Sequence, residues 1–369
     1  MKVSGTFLTV LCLLATRYCS NAIPSPSFSQ HYCSWIAEEI VIVTEGDVVD
    51  GDLIVLESWK GDLRQGDKVV LPELAIFATE ESRKLKYFPG RKQPTGAPKF
   101  VTGTRMVVFA KRASGSVAET NRVPEITSRI PQRSAYSLVD LVWVCTVWIE
   151  QDHVYGFRWI SNPGPALLTF LDLSEQQLKQ QVLEVTATHD ALNKATNITD
   201  STARAKEAAR FTSSQFWQGK DLAFEILAGC KEGALPVLRE MLKDGSNLRR
   251  HEDAVKALGK AGGLSVGPDL TAIVQEELRF WKTTAPKLRI GWWNDNEQRL
   301  EWSRVELLRD HYCKVLAALE ALQKINYPNC ERPVREFRDF WRSLPQLEDK
   351  DGLKQMSEAC DIVLANLHR

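Results

Sequence analysis

Apolar positions alternate with polar ones in short runs along the first half of the chain and recur every three to four residues along the second, and this change of period divides it into two structural classes. The runs Ile40 to Thr44, Leu53 to Trp59, Lys68 to Leu71, Arg105 to Ala110, Val142 to Ile149 and Val154 to Ile160 are rich in β-formers. Between them stand Asp50-Gly51-Asp52, Lys60-Gly61-Asp62 and Gln65-Gly66-Asp67, turn chemistry that tolerates positive φ. The pattern predicts strands, with a hairpin around Glu150-Gln151-Asp152-His153. Tyr87 to Gly103 and Ser114 to Ser137 read as surface loops. At Ser174 the period changes: a serine three residues before Gln177 forms a capping box, and Leu178, Val182, Val185 and Leu192 follow at helical spacing.

Helices are predicted over Ser174 to Ala195, Ser201 to Phe211, Ser214 to Ala228, Gly233 to Lys243, Arg250 to Lys260, Pro268 to Trp281, Gln298 to Lys324, Arg332 to Trp341 and Gly352 to Leu367. Ala234, Leu235, Val237, Leu238, Met241 and Leu242 share one helical face, and Ala254, Val255, Ala257, Leu258 and Ala261 repeat that arrangement after the Asp244-Gly245-Ser246 break. Leu270, Ile273, Val274, Leu278 and Trp281 make a further stripe. Pro236 and Pro268 fall near helix starts, where a missing N–H costs little. Leu227, Leu258 and Leu322 occupy like contexts along the helical half.

Through EILAGCKEGALPVL and KALGKAGG the stretch from Ser214 to Trp281 resembles HEAT-type helical repeats, which bury their apolar faces only against neighbouring repeats and serve as binding scaffolds. The insert Thr283 to Glu297 departs from that spacing. In the first half, Cys33-Ser34-Trp35, IVIVTEG, VLESWKGDLRQGDKVVLPEL and TRMVVFAKR are similar to the OB-type barrels of netrin and tissue-inhibitor-of-metalloproteinase modules. Those inhibitors chelate metal through an N-terminal cysteine. Here Cys33 lies downstream of the predicted cleavage site, so the resemblance implies the fold and not the activity. The expected class is α+β multidomain: an all-β barrel or sandwich, OB-like, over residues 23–170, a helical connector over 171–213, and an α-helical HEAT-like repeat domain over 214–369.

Residues 1–22 read as a signal peptide: Lys2, an apolar core from Thr6 to Ala15, and the small residues Ser20-Asn21-Ala22 before a mature start at Ile23. The core is too short for a bilayer span, and neither Cys12 nor Cys19 has a lipoprotein context. The expected location is therefore secreted or periplasmic. At 44% hydrophobic and 25% charged the composition is that of a globular protein. Losing Lys2 and Arg17 leaves 45 basic residues against 47 acidic, which argues against nucleic-acid or anionic-membrane partners. Arg249-Arg250 and Lys282 to Arg289 read as solvated helix ends and loop charges.

Six cysteines remain: Cys33, Cys145, Cys230, Cys313, Cys330 and Cys360. Cys33 with Cys145 is the simplest N-terminal disulfide if domains do not exchange bonds, and buried free thiols are the alternative. Among the motifs of known chemistry, His-Glu-x-x-His and a phosphate-binding glycine loop are absent. His311-Tyr312-Cys313 with Cys330 is the nearest approach to a zinc cluster but lacks close Cys-x-x-Cys pairs, so no cofactor is implied. Trp292, Trp293, Asn294 and Asp295, in the polar insert, form a candidate patch for a peptide or sugar, or else fold back on the helical core. These features favour an exported, non-catalytic scaffold that binds another exported protein. The rival readings are a hydrolase or transferase with an unfamiliar site at the domain junction near Asp152, His153 and His189, and a carbohydrate-binding protein using Trp292 and Trp293.

Overall fold

The computed structural model describes residues 28–45, 52–71, 74, 105–113, 135–140, 142–159, 166–245, 248–284, 302–344 and 352–368. The chain divides into two compact units, Met1–His189 and Asp190–Arg369. The division falls inside a helix of the stretch read as a connector. No helix among the described residues is long and apolar enough to cross a membrane.

The first unit contains α1 (Gln30–Ile36), β1 (Glu39–Glu45), β2 (Asp52–Lys60), β3 (Lys68–Val70), β4 (Arg105–Arg112), β5 (Tyr136–Leu138), a single helical turn α2 (Val142–Cys145), β6 (Thr146–Glu150), β7 (His153–Trp159) and β8 (Ala166–Ser174). All strand pairs are antiparallel, in the order β3-β2-β1-β4-β6-β7-β8, with β5 also on β4. The predicted barrel or sandwich is corrected here: the described strands form one open sheet. Closure needs its two ends to pair, and among the described strands β3 pairs with β2 and not with β8.

Ile40, Val41, Ile42 and Val43 are all fully buried, so β1 is covered on both faces rather than half-solvated. Leu178 and Val182, on the helix that follows the sheet, belong to the same core. That helix, α3 (Glu175–Thr196), begins as the capping box predicts. Gln177 N–H donates to Ser174 Oγ at 3.1 Å, and Ser174 N–H donates to Gln177 Oε1 at 2.8 Å. Its first turn is held to the sheet by paired hydrogen bonds from Arg105 to Glu175, 2.8 and 2.6 Å, and by Lys179 to Glu57 at 2.5 Å.

The β6–β7 hairpin forms where expected, with Gln151 and Asp152 both at positive φ, 48° and 68°, as a tight primed turn requires. Val142 to Cys145, by contrast, is a helical turn and not the predicted start of a strand. Its apolar run fits either state, and the Cys145 thiol donates to the Asp140 carbonyl at 3.2 Å, satisfying the backbone that leads into the turn.

The second unit is helical: α4 (Ser201–Ala209), α5 (Trp217–Gly229), α6 (Leu235–Lys243), α7 (Arg249–Gly262), α8 (Gly267–Thr284), α9 (Trp302–Ile325), α10 (Glu331–Arg342) and α11 (Gly352–Leu367). Each even-numbered helix packs on the next, giving four hairpins; α5, α7, α9 and α11 pack successively along one layer, and α8 packs on α10 in the other. Arg239 of α6 grips Asp269 of α8, with a closest contact of 2.8 Å. Leu227, Leu258 and Leu322 lie on successive helices of the first layer and are fully buried.

A 3₁₀ turn precedes each of α6, α8 and α10, ending near Ala234, Val266 and Cys330. These three are fully buried, as are Leu238, Leu270 and Val334 four positions further on. Gly259 of α7 lies so close to α9 that an added Cβ would stand 2.5 Å from the Ala321 Cβ.

A second close approach fixes the first unit. The Glu39 carboxylate, 1% exposed, accepts from the backbone N–H groups of Asp62 and Leu63 at 3.1 and 3.2 Å. Gly61 beside it has φ 102°, and a Cβ there would lie 2.0 Å from Glu39 Oε2 and 2.7 Å from the Glu38 carbonyl oxygen. Gly61→Ala is expected to destabilise the sheet unit by about 3 kcal/mol, measured by denaturant unfolding, because it combines backbone strain with a clash at a buried carboxylate.

Candidate functional site

The helical unit holds one buried ionic cluster among the described residues, at the packing of α8 on α9. Glu277 occupies the apolar stripe of α8, four positions after Ile273 and four before Trp281, and is 1% exposed. His311 and Lys314 are three positions apart on α9, so they share a face. The His311 Nδ1–H donates to both carboxylate oxygens of Glu277 at 3.0 Å. Lys314 Nζ lies 3.2 Å from Glu277 Oε1 and 3.9 Å from Glu276 Oε2. The His311 ring is stacked on Phe280, with centroids 3.6 Å apart and planes 15° apart.

The charge of Lys314 also reaches His251 of α7. His251, 2% exposed, has Nε2 2.9 Å from the Asp244 carbonyl oxygen, to which its N–H donates. Burial holds its pKa below the ordinary imidazole value of 6.5, and the positive charge of Lys314 pushes it the same way, against the hydrogen bond to Asp244.

A carboxylate behind an imidazole is the arrangement that supports a general base, because the carboxylate stabilises the imidazolium. In this cluster the carboxylate is already neutralised by Lys314, and the imidazole lies flat against Phe280. The Glu277 carboxylate takes up both the His311 Nδ1–H and the Lys314 ammonium. That is the pattern of a buried network that fixes the register of two helices rather than of a site awaiting substrate.

The residues singled out from sequence fall apart. Trp292, Trp293, Asn294 and Asp295 lie outside the described residues. Asp152 and His153 are exposed on the β6–β7 turn, whose Asp152 carbonyl accepts from Glu175 N–H at 3.1 Å. His189 is 14 residues further along the same helix, about 21 Å at 1.5 Å per residue, and its ring stands edge-on to Trp35 at 4.8 Å. The constellation proposed for a hydrolase or transferase is therefore not assembled. His311 is taken by Glu277, and no group of three side chains suited to a metal occurs among the described residues.

Cys33 and Cys145 do come together. Both are fully buried free thiols, and Cys33 Sγ donates at 3.1 Å to the carbonyl of Val144, the residue before Cys145. No known protein family, curated protein or solved structure matches the chain.

The surface of the helical unit carries one further feature. Trp217, the first residue of α5, is 60% exposed, whereas Trp281 and Trp341 are buried in the core of this unit. Sequence inspection passed over it because Phe216, Ala223 and Leu227 complete the buried face of that helix without it.

Two outcomes follow from the cluster. Glu277→Ala is expected to cost about 3–5 kcal/mol in denaturant unfolding of the helical unit by stranding Lys314, whereas the pair Glu277→Leu with Lys314→Met costs much less. Because the folded-state pKa of His251 is depressed, its contribution to stability is present above about pH 6.5 and is lost as pH falls through the folded value. The denaturation midpoint is expected to drop between about pH 7.5 and about pH 5.5, and to drop less in His251→Asn.

Proposed function

We propose that this chain is an exported, non-catalytic scaffold that binds another exported protein through a helical unit of the HEAT-like kind, joined to a β module whose OB-like character belongs to the same reading. The observation that carries it is the stacking of successive helix hairpins in two layers, with an aromatic residue left standing on the outside. Stacked hairpins bury one face of each helix against its neighbours and leave the other to solvent, which gives an extended contact surface without a catalytic cleft.

Trp217 suits such a surface. Tryptophan supplies a large apolar area at low conformational cost and is over-represented among the residues that dominate binding energy. The best-formed polar cluster, Glu277 with His311 and Lys314, is satisfied internally and has the character of a structural tie. The near-balance of charge points to a protein partner rather than a polyanion.

The test places a photoreactive side chain at position 217 of the full mature chain in its native exported fraction and identifies the crosslinked protein by mass spectrometry. Trp217→Ala is expected to weaken binding of that protein by about 30-fold while leaving the melting temperature within a degree or so of wild type. Hydrolytic turnover by the purified chain, abolished by His311→Ala, would overturn the proposal.

A further inference from the structure

We propose that Cys33 and Cys145 form an intramolecular disulfide when the chain folds under oxidising conditions, stapling α1 to α2 beneath the sheet. The two thiols lie on elements that pack together, 112 positions apart in sequence, and Cys33 Sγ reaches the carbonyl of the residue before Cys145. Cys33 Sγ now donates to Val144 O, and Cys145 Sγ donates to Asp140 O. The Cys33 thiol also feels the charge of Cys145, which places the two sulfurs within reach of each other. Tyr32, which hydrogen-bonds to Asp140, feels both sulfurs, so one small buried volume contains all three side chains.

The other described cysteines are placed differently. Cys313 is half-buried on α9, and Cys230, Cys330 and Cys360 are buried thiols with Arg204, Glu331 and Asp361 respectively among their charged neighbours. Burial pushes the Cys330 thiol up to about 11 and the Cys360 thiol up to about 12, which leaves both almost wholly protonated and inert.

The step balances through a disulfide-carrying oxidant such as glutathione disulfide. One thiol of the pair loses its proton and attacks a sulfur of the oxidant, forming a mixed disulfide and expelling one glutathione thiolate. The second loses its proton and attacks the protein sulfur of that mixed disulfide, closing the Cys33–Cys145 bond and expelling the other glutathione. Two protons and two electrons leave the protein, and the oxidant becomes two thiols. Burial raises the Cys33 thiol well above its usual range, and the neighbouring Cys145 adds to that effect. The exchange therefore belongs to the folding phase, before the core closes, and the finished bond is shielded from reductant.

That the bond also exists in the native protein rests on the export reading, and the two are tested separately. The full mature chain is refolded in a glutathione redox buffer, alkylated after unfolding, and digested without reduction. The expected product is one crosslinked peptide pair containing Cys33 and Cys145, lighter by two hydrogens than its components, with the remaining cysteines alkylated. Reductant added to the unfolded chain before refolding is expected to lower the melting temperature by about 10 °C, and to leave the double variant Cys33→Ala, Cys145→Ala unaffected. Recovery of Cys33 and Cys145 as alkylated thiols, or bonded to other cysteines, overturns the proposal. In native material, an N-terminal peptide beginning at Ile23 reports on export whatever the state of the thiols.

Discussion

A carboxylate withdrawn from water must find donors, and each unit of this protein has a glutamate in that position. Glu39 finds them in the backbone: two consecutive N–H groups turn inward at Asp62 and Leu63, and the chain can pass that close only because Gly61 has no side chain. Glu277 finds them in side chains of a neighbouring helix, an imidazole and an ammonium presented three residues apart. The first solution fixes a loop against a strand, and the second fixes one helix against another. In both cases apolar packing would tolerate several registers, whereas hydrogen-bond geometry tolerates very few.

Much of the framework was legible because it depends on local chemistry. Ser174 and Gln177 announce the start of α3 through groups three residues apart, and the last predicted helix, Gly352 to Leu367, has the bounds observed. Leu227, Leu258 and Leu322 could be aligned because burial at successive layer positions repeats the same requirement. What escaped was decided at a distance. Val142 to Cys145 has the composition of a strand but makes a helical turn, and β5 and β8 lie in stretches whose strand character depends on the neighbours they pair with. The Glu277 cluster joins residues 34 positions apart. Its one local sign was an acid within the stripe of Ile273, Val274, Leu278 and Trp281.

The helical unit and the sheet unit handle polar groups by different means. Its helices satisfy their own backbone, so inter-helix contacts can be assigned almost wholly to side chains: leucines at the layer centre, Arg239 with Asp269 across α6 and α8, and Gly259 where α7 meets α9 most closely. Surface positions are then free to vary. The sheet unit has no such freedom, since every strand takes its hydrogen bonds from a neighbour.

Among the described strands, β3 stands at one end of the sheet. An end strand that is long, flat and apolar invites pairing with another chain. β3 has only three residues and begins at the exposed Lys68. A ladder that brief, with a charge at its head, gives an intruding chain too few hydrogen bonds to offset the ordering it would require. A short end strand headed by a charge is therefore a poor template for aggregation.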